Sequence, residues 1–165
     1  MDRSTAPAPA TGARHSDGPH ATRAIGSALG RHALPGTVLA LVGELGAGKT
    51  QLAKGVADGL DVQSVVNSPT FVLMNEHEGR LRLFHVDAYR LGDPEEAVAA
   101  GLLDERQADG VLVIEWADRL DRWLPDERLE IRLGATGADP LHRELSWTAR
   151  GPAHERLAAE ALRRP

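Results

Sequence analysis

Eight consecutive residues, Gly43-Glu44-Leu45-Gly46-Ala47-Gly48-Lys49-Thr50, fit the pattern G-x-x-x-x-G-K-[ST] at every fixed position. These residue types in this order suit a grip on the phosphates of a nucleoside triphosphate. The glycines let the backbone curl until successive N–H groups point inward at an anion. Lys49 adds positive charge near the β- and γ-phosphates, and the Thr50 hydroxyl is placed to ligate Mg²⁺. Glu44, Leu45, Gly46, Ala47, Gly48, Lys49 and Thr50 are therefore the candidate nucleotide-binding residues.

A phosphate loop alone hydrolyses nothing. The metal needs a carboxylate, and an attacking water needs a base or an orienting group. Such an acid belongs at the C-terminal end of an apolar strand near the loop. Glu115 follows Val111-Leu112-Val113-Ile114, and Asp87 follows Leu83-Phe84-His85-Val86. Either could instead be a solvated acid at a strand end. Thr70 follows Ser68-Pro69 in a turn, where its hydroxyl can reach Mg²⁺ or the γ-phosphate, or cap backbone groups. Arg90 suits either a phosphate or an acid, and Tyr89 lies beside it. Trp116 suits a ligand, a partner or the core, and His85 suits a hydrogen-bonded structural role.

The elements that must position these groups are legible around the loop. Residues 37–42 form an apolar, β-branched run that reads as a buried strand. Residues 51–58 read as a helix with Leu52 and Val56 on one face and Gly59 as its stop. Strand, glycine loop and helix in that order aim the helix N-terminus at the phosphates. Upstream, residues 1–20 are rich in Ala, Pro, Gly, Ser and Thr and are expected to form a disordered tail. A helix over 21–32 should bury Ile25 and Leu29, with Ala28 beside them, before Pro35-Gly36 turns the chain.

Further along, 71–74 and 81–86 look like strands joined by a tight turn near Glu78-Gly79, too short for a parallel crossover. Pro94 should open a helix running to about Leu103, with Glu95 and Glu96 in its first turn. Residues 111–114 are continuously apolar, as in a strand covered on both faces. Residues 129–133 and 144–148 alternate like half-exposed strands, and 153–163 suit a last helix. The fold class expected is α/β: a P-loop NTPase-like three-layer fold whose parallel core sheet is extended by antiparallel strands. Residues 21–165 are expected to form a single ATPase domain.

Composition narrows the function classes. A chain of 165 residues suits one core, and the absence of cysteine excludes disulfides, thiolate metal sites and a cysteine nucleophile. No apolar run reaches membrane-spanning length, and a cytoplasmic location is expected. A net charge of −5 argues against a sequence-independent grip on nucleic acid. Lys49 and Lys54 are the two lysines of the chain, against many arginines.

Taken in order, the motifs reach a family. The chain resembles the bacterial TsaE (YjeE) family, the ATPase partner in making threonylcarbamoyladenosine on tRNA. The resemblance rests on Gly43–Thr50, Ser68-Pro69-Thr70-Phe71, His85-Val86-Asp87-Ala88-Tyr89-Arg90, Ile114-Glu115-Trp116 and Leu124-Pro125, and covers about residues 21–133. It implies that ATP and Mg²⁺ are the ligands and that Thr50 and Glu115 hold the metal. It implies that residues 46–50 cradle the phosphates and that Lys49, Asp87 and Thr70 take part in sensing or cleaving the γ-phosphate. Trp116 would be functional, with Tyr89 and Arg90 as partner or gating candidates. The partner implied is a TsaB–TsaD-type heterodimer, with tRNA met only indirectly through that complex.

Two departures from the family pattern stand out. Glu44 stands where the family usually has Asp, and Pro19-His20-Ala21-Thr22 offers no acid at the start of the first helix. Arg143 and His142 are candidates to contribute from the C-terminal region. The alternatives are a kinase on the same scaffold, which would need an arginine-rich lid, or a binding module that ATP merely reshapes. A GTPase is excluded because an N-K-x-D segment needs a lysine after Lys54.

Overall fold

The computed structural model describes residues 8–44, 46–67, 74–89, 91, 93, 95 and 105–163. Seven strands share one sheet: β1 (Ala10–Ser16), β2 (Thr37–Gly43), β3 (Met74–His77), β4 (Leu83–Asp87), β5 (Val111–Glu115), β6 (Arg128–Ala135) and β7 (Arg143–Arg150). Their order is β1-β7-β6-β2-β5-β4-β3. Parallel pairings join β6, β2, β5 and β4, while antiparallel pairings add β7 and β1 at one edge and β3 at the other. This is the α/β fold expected from the sequence, a parallel core with antiparallel extensions.

The continuous apolar runs of β2 and β5 follow from burial on both faces. Leu39, Leu41, Val111 and Val113 face a core shared with helices α1 (Pro19–His32), α2 (Lys49–Gly59) and α3 (Pro152–Ala161). Ala40, Val42, Leu112 and Ile114 face the opposite core, completed by Phe84, Val86, Leu91, Ala117, Leu120 and Leu124. Between β1 and β2, strands β7 and β6 alternate between buried and more open positions, the half-exposed pattern their sequences carry.

Two sequence expectations need correction. The disordered tail over 1–20 does not hold across residues 10–16, which form β1 and pair with β7 from Ala10↔Ala149 to Ser16↔Arg143. The small residues are there for a reason: a Cβ on Gly12 would lie 2.2 Å from the Trp147 indole, which lies across that position. α1 accordingly starts at Pro19 rather than Ala21, with proline in the first turn where its missing N–H costs nothing.

Gly59 ends α2 where the sequence placed the stop, but not as a left-handed cap. It is the last helical residue of α2; Leu60 follows at φ −91° and ψ 5°, and the left-handed residue beyond the helix is Asp61 at φ 58°. Gly59 serves close packing instead. Added Cβ atoms on Gly26 and Gly30 of α1 would lie 2.3 and 2.2 Å from the carbonyl oxygens of Leu52 and Val56. On α2, Gly55 and Gly59 would meet the oxygens of Arg23 and Ser27 at 2.1 and 2.2 Å. Each helix thus carries G-x-x-x-G, and each aims its glycine Cα–H groups at the other's carbonyls.

The hairpin partner of β4 begins, among the described residues, at Met74; the predicted strand residues 71–73 and most of the predicted helix from Pro94 lie outside them.

Candidate active site

The loop between β2 and α2 is shaped by left-handed glycines, with φ +79° at Gly46 and +106° at Gly48. A side chain at either place would be strained. Lys49, 4% exposed, sits in the first turn of α2 and donates from Nζ to the carbonyls of Gly43 (2.6 Å) and Glu44 (2.8 Å). Two of its N–H groups therefore anchor the ammonium across the mouth of the loop. Burial pushes the Lys49 pKa down, while Glu115, Asp118, Asp87 and Glu44 act in the opposite sense. The surrounding carboxylates offset part of the cost of burying the cation.

β5 pairs in parallel with β2, and the register Leu41↔Glu115 brings Glu115 beside the loop. Its carboxylate is 2% exposed and engaged on both oxygens. Thr50 Oγ1 donates to Oε1 at 2.8 Å, and His85 Nε2 lies 2.5 Å from Oε2. A buried carboxylate needs such partners. His85, fully buried on β4, has the hydrogen-bonded role its sequence position suggested, with Glu115 as its partner. Asp87 ends β4 in register with Glu115, is half-buried, and accepts the Tyr89 N–H at 2.9 Å.

Trp116 has φ 57° and ψ 40°, a left-handed conformation that costs a non-glycine residue on the order of 1 kcal/mol or more. The strain turns its ring toward the site. Lys49 Nζ lies 4.0 Å from the ring centroid, and the half-exposed Tyr89 ring packs at 4.9 Å. Arg119 lies 5.2 Å over Tyr89. Trp116 also packs against the apolar cluster that contains Ala117 and Leu120, so its ring lies between that core and Lys49.

The structure therefore brings together Gly46, Ala47, Gly48, Lys49, Thr50, Asp87, Glu115, Trp116 and Tyr89, with Glu44 exposed at the loop's start. Leu45, Thr70 and Arg90 lie outside the described residues. Arg143, a C-terminal candidate in the sequence, makes a contact that sequence reasoning missed: its guanidinium donates to the Ala47 and Gly46 carbonyls at 3.2 Å each and props the loop from β7. Nearly a hundred residues of separation leave no local signal for such a contact. Asp118 near Lys49 was likewise missed.

Residues with Thr and Glu oxygens meeting at 2.8 Å form a hard donor set of the kind Mg²⁺ takes beside phosphates. These oxygens lie beside the glycine-rich loop and the N-terminus of α2, an end of a helix that favours anions.

Comparison with known proteins agrees with that geometry. Residues 16–145 match the family model described as Threonylcarbamoyl adenosine biosynthesis protein TsaE. The tRNA threonylcarbamoyladenosine biosynthesis protein TsaE of Bacillus subtilis is 42% identical over 146 residues, covering 88% of this chain and 90% of that protein. Its Treponema pallidum namesake is 42% identical over 108 residues, covering 66% and 80%. The crystal structure of Bacillus subtilis YdiB superposes with a TM-score of 0.79 at 36% identity, covering 93% of this chain and 95% of that one. Fold, loop and matched length agree, and the chain belongs to the TsaE family.

Proposed function

We propose that the protein is a Mg²⁺-dependent ATPase that supports a TsaB–TsaD-type complex in the threonylcarbamoyl modification of adenosine in tRNA, in the cytoplasm. The observation that carries the reading is the Thr50–Glu115 hydrogen bond of 2.8 Å, with His85 fixing the other carboxylate oxygen. A loop that merely bound an anion would have no use for a buried acid anchored at its threonine. Thr50 and Glu115 would hold Mg²⁺, directly or through water. Bound with ATP, the ion supplies charge neutralisation on the phosphate oxygens.

The chain's own residues supply the rest. The N–H groups of residues 46–50 and the α2 N-terminus receive the phosphates. Lys49, held by Gly43 and Glu44, fixes a positive charge where negative charge builds during γ-phosphoryl departure. Glu115 has both oxygens engaged, which suits holding more than proton abstraction. Asp87, adjacent in register on β4 and less buried, is assigned to orient water. Thr70 is assigned with it to the γ-phosphate on the strength of the family motif. Trp116 and Tyr89, packed together beside Lys49, are assigned with the motif residue Arg90 to the reading of nucleotide state by a partner, and tRNA is met only through that partner.

The test is ATP hydrolysis with and without a purified TsaB–TsaD-type heterodimer, with Mg²⁺ or EDTA, and with GTP as control. Partner-stimulated, Mg²⁺-dependent ATP turnover is expected, and Glu115→Gln should raise the Mg²⁺ concentration needed at least tenfold. Turnover that is indifferent to EDTA, or unaltered in Glu115→Gln, would remove the assignment.

A further inference from the structure

Among the described residues, one group of three His, Asp or Glu side chains brings its ligand atoms within 4.8 Å of one another: His15, Asp17 and His142. It lies at the β1–β7 edge, where Ser16 pairs with Arg143. In strand order this edge is on the far side of β2 from β5 and Glu115. We propose that His15, Asp17 and His142 form a second metal site, for a borderline divalent ion such as Zn²⁺, separate from the nucleotide site.

The donor set points to that class of ion. Two imidazoles and one carboxylate favour Zn²⁺, Ni²⁺ or Cu²⁺ over Mg²⁺ and Ca²⁺, which prefer oxygen throughout. The ligands come from two chain segments that the sheet holds in register, so the convergence is made by the fold. His15 and His142 meet edge to face with ring centroids 5.0 Å apart, and Asp17 Oδ1 lies 2.9 Å from His15 Nε2. Ligand bonds of about 2.0–2.2 Å would require the three atoms to draw in by roughly 1 Å from their widest spacing. The side chains have room to do so, being 51%, 81% and 36% exposed for His15, Asp17 and His142.

The backbone under His142 is already fixed. Asp139 Oδ1 accepts the Leu141 N–H at 2.9 Å, and its Oδ2 lies 3.3 Å from His142 Nε2, which orients the ring as outer-shell carboxylates do. Arg143 donates to the Pro140 and His142 carbonyls at 2.7 and 2.8 Å, and the same guanidinium reaches Gly46 and Ala47 of the phosphate loop. An ion held here would staple β1 to the β6–β7 turn, and Arg143 would carry that restraint to the loop.

The test is calorimetric titration of the full chain, free of nucleotide, with ZnCl₂, alongside thermal denaturation with and without the ion. One saturable site is expected with Kd at or below about 10 μM. His15→Ala and His142→Ala should each weaken it at least tenfold and abolish the rise in Tm, while His32→Ala, at an exposed histidine elsewhere, leaves both intact. Cobalt absorption at the same site provides a readout independent of ATPase activity. Absence of saturable binding, or equal binding by the His15→Ala/His142→Ala double variant, would overturn the proposal without touching the nucleotide assignment.

Discussion

Gly55→Ala isolates the contact that seats the phosphate-loop helix. The new Cβ would lie 2.1 Å from the Arg23 carbonyl oxygen and 2.9 Å from both the Arg23 carbonyl carbon and Gly26 Cα. All three are backbone atoms, so no rotamer change relieves them, and α1 and α2 must separate by roughly 1 Å to restore ordinary contact. Overpacking of this kind costs about 1–3 kcal/mol, and the backbone obstacle places it at the upper end. Better helix propensity returns about 1 kcal/mol. The balance is a loss of roughly 2 kcal/mol, or a fall in Tm of about 4–8 °C for a chain of this size. The helix that moves begins with Lys49 and Thr50, so ATP affinity measured by calorimetry should fall as well. Gly134→Ala, on β6 with nothing within 4 Å of the new Cβ, is the control and should change stability by less than about 0.5 kcal/mol. An unchanged or raised Tm for Gly55→Ala would mean that propensity outweighs packing and that the helices are not in backbone contact.

Lys49→Ala should weaken ATP binding at least a hundredfold by calorimetry, since the loop loses the cation held over Gly43 and Glu44; equal affinity would refute that role. Trp116→Ala should reduce partner-stimulated turnover several-fold, with Tm lowered by no more than a few degrees because the ring is half-buried and its strained backbone relaxes; a collapse of Tm would make it a core residue. Acid should destabilise the fold through His154, whose Nε2 accepts the Val38 N–H at 3.0 Å and whose pKa burial pushes down, with Glu127 acting weakly the other way. The unfolded chain then takes up a proton that the folded one refuses, so stability is full above the ordinary histidine value near 6.5 and falls as pH drops below it. Tm measured from pH 7.5 to 5 should show a shallower acid decline in His154→Gln, and an identical slope would exclude His154 as the cause.

What the sequence made legible follows its local signals. The phosphate loop, the buried runs of β2 and β5 and the alternation of β6 and β7 are each encoded within a few residues, and the structure has them. β1 was hidden because its partner β7 is more than a hundred residues away, and because Gly12 and its small neighbours imitate a disordered composition. Their smallness answers to Trp147, a long-range fact. Gly59 was legible only in part for a related reason: the helix does end there, yet the glycine also pairs with Gly55 to admit the carbonyls of α1. The paired G-x-x-x-G spacings at 26–30 and 55–59 were visible, and would have announced two helices in backbone contact.

For the candidate site, the acids were legible in the sequence but what distinguishes their surroundings was not. Glu115 and Asp87 are equivalent in sequence, each an acid closing an apolar strand, and the parallel register sets them side by side. What separates them is three-dimensional. β5 adjoins the loop strand, so Glu115 reaches Thr50, whereas Asp87 stands one strand further out. His85 then commits the second oxygen of Glu115 from a fully buried position. A carboxylate held at both oxygens gains geometry and loses freedom to accept a proton from a moving water. The half-buried acid next to it keeps more contact with solvent, which is why the proposed function assigns it the water. In the proposed ATPase, the histidine two residues before Asp87 is what would give the two acids different work, by fixing Glu115 rather than by entering the chemistry itself.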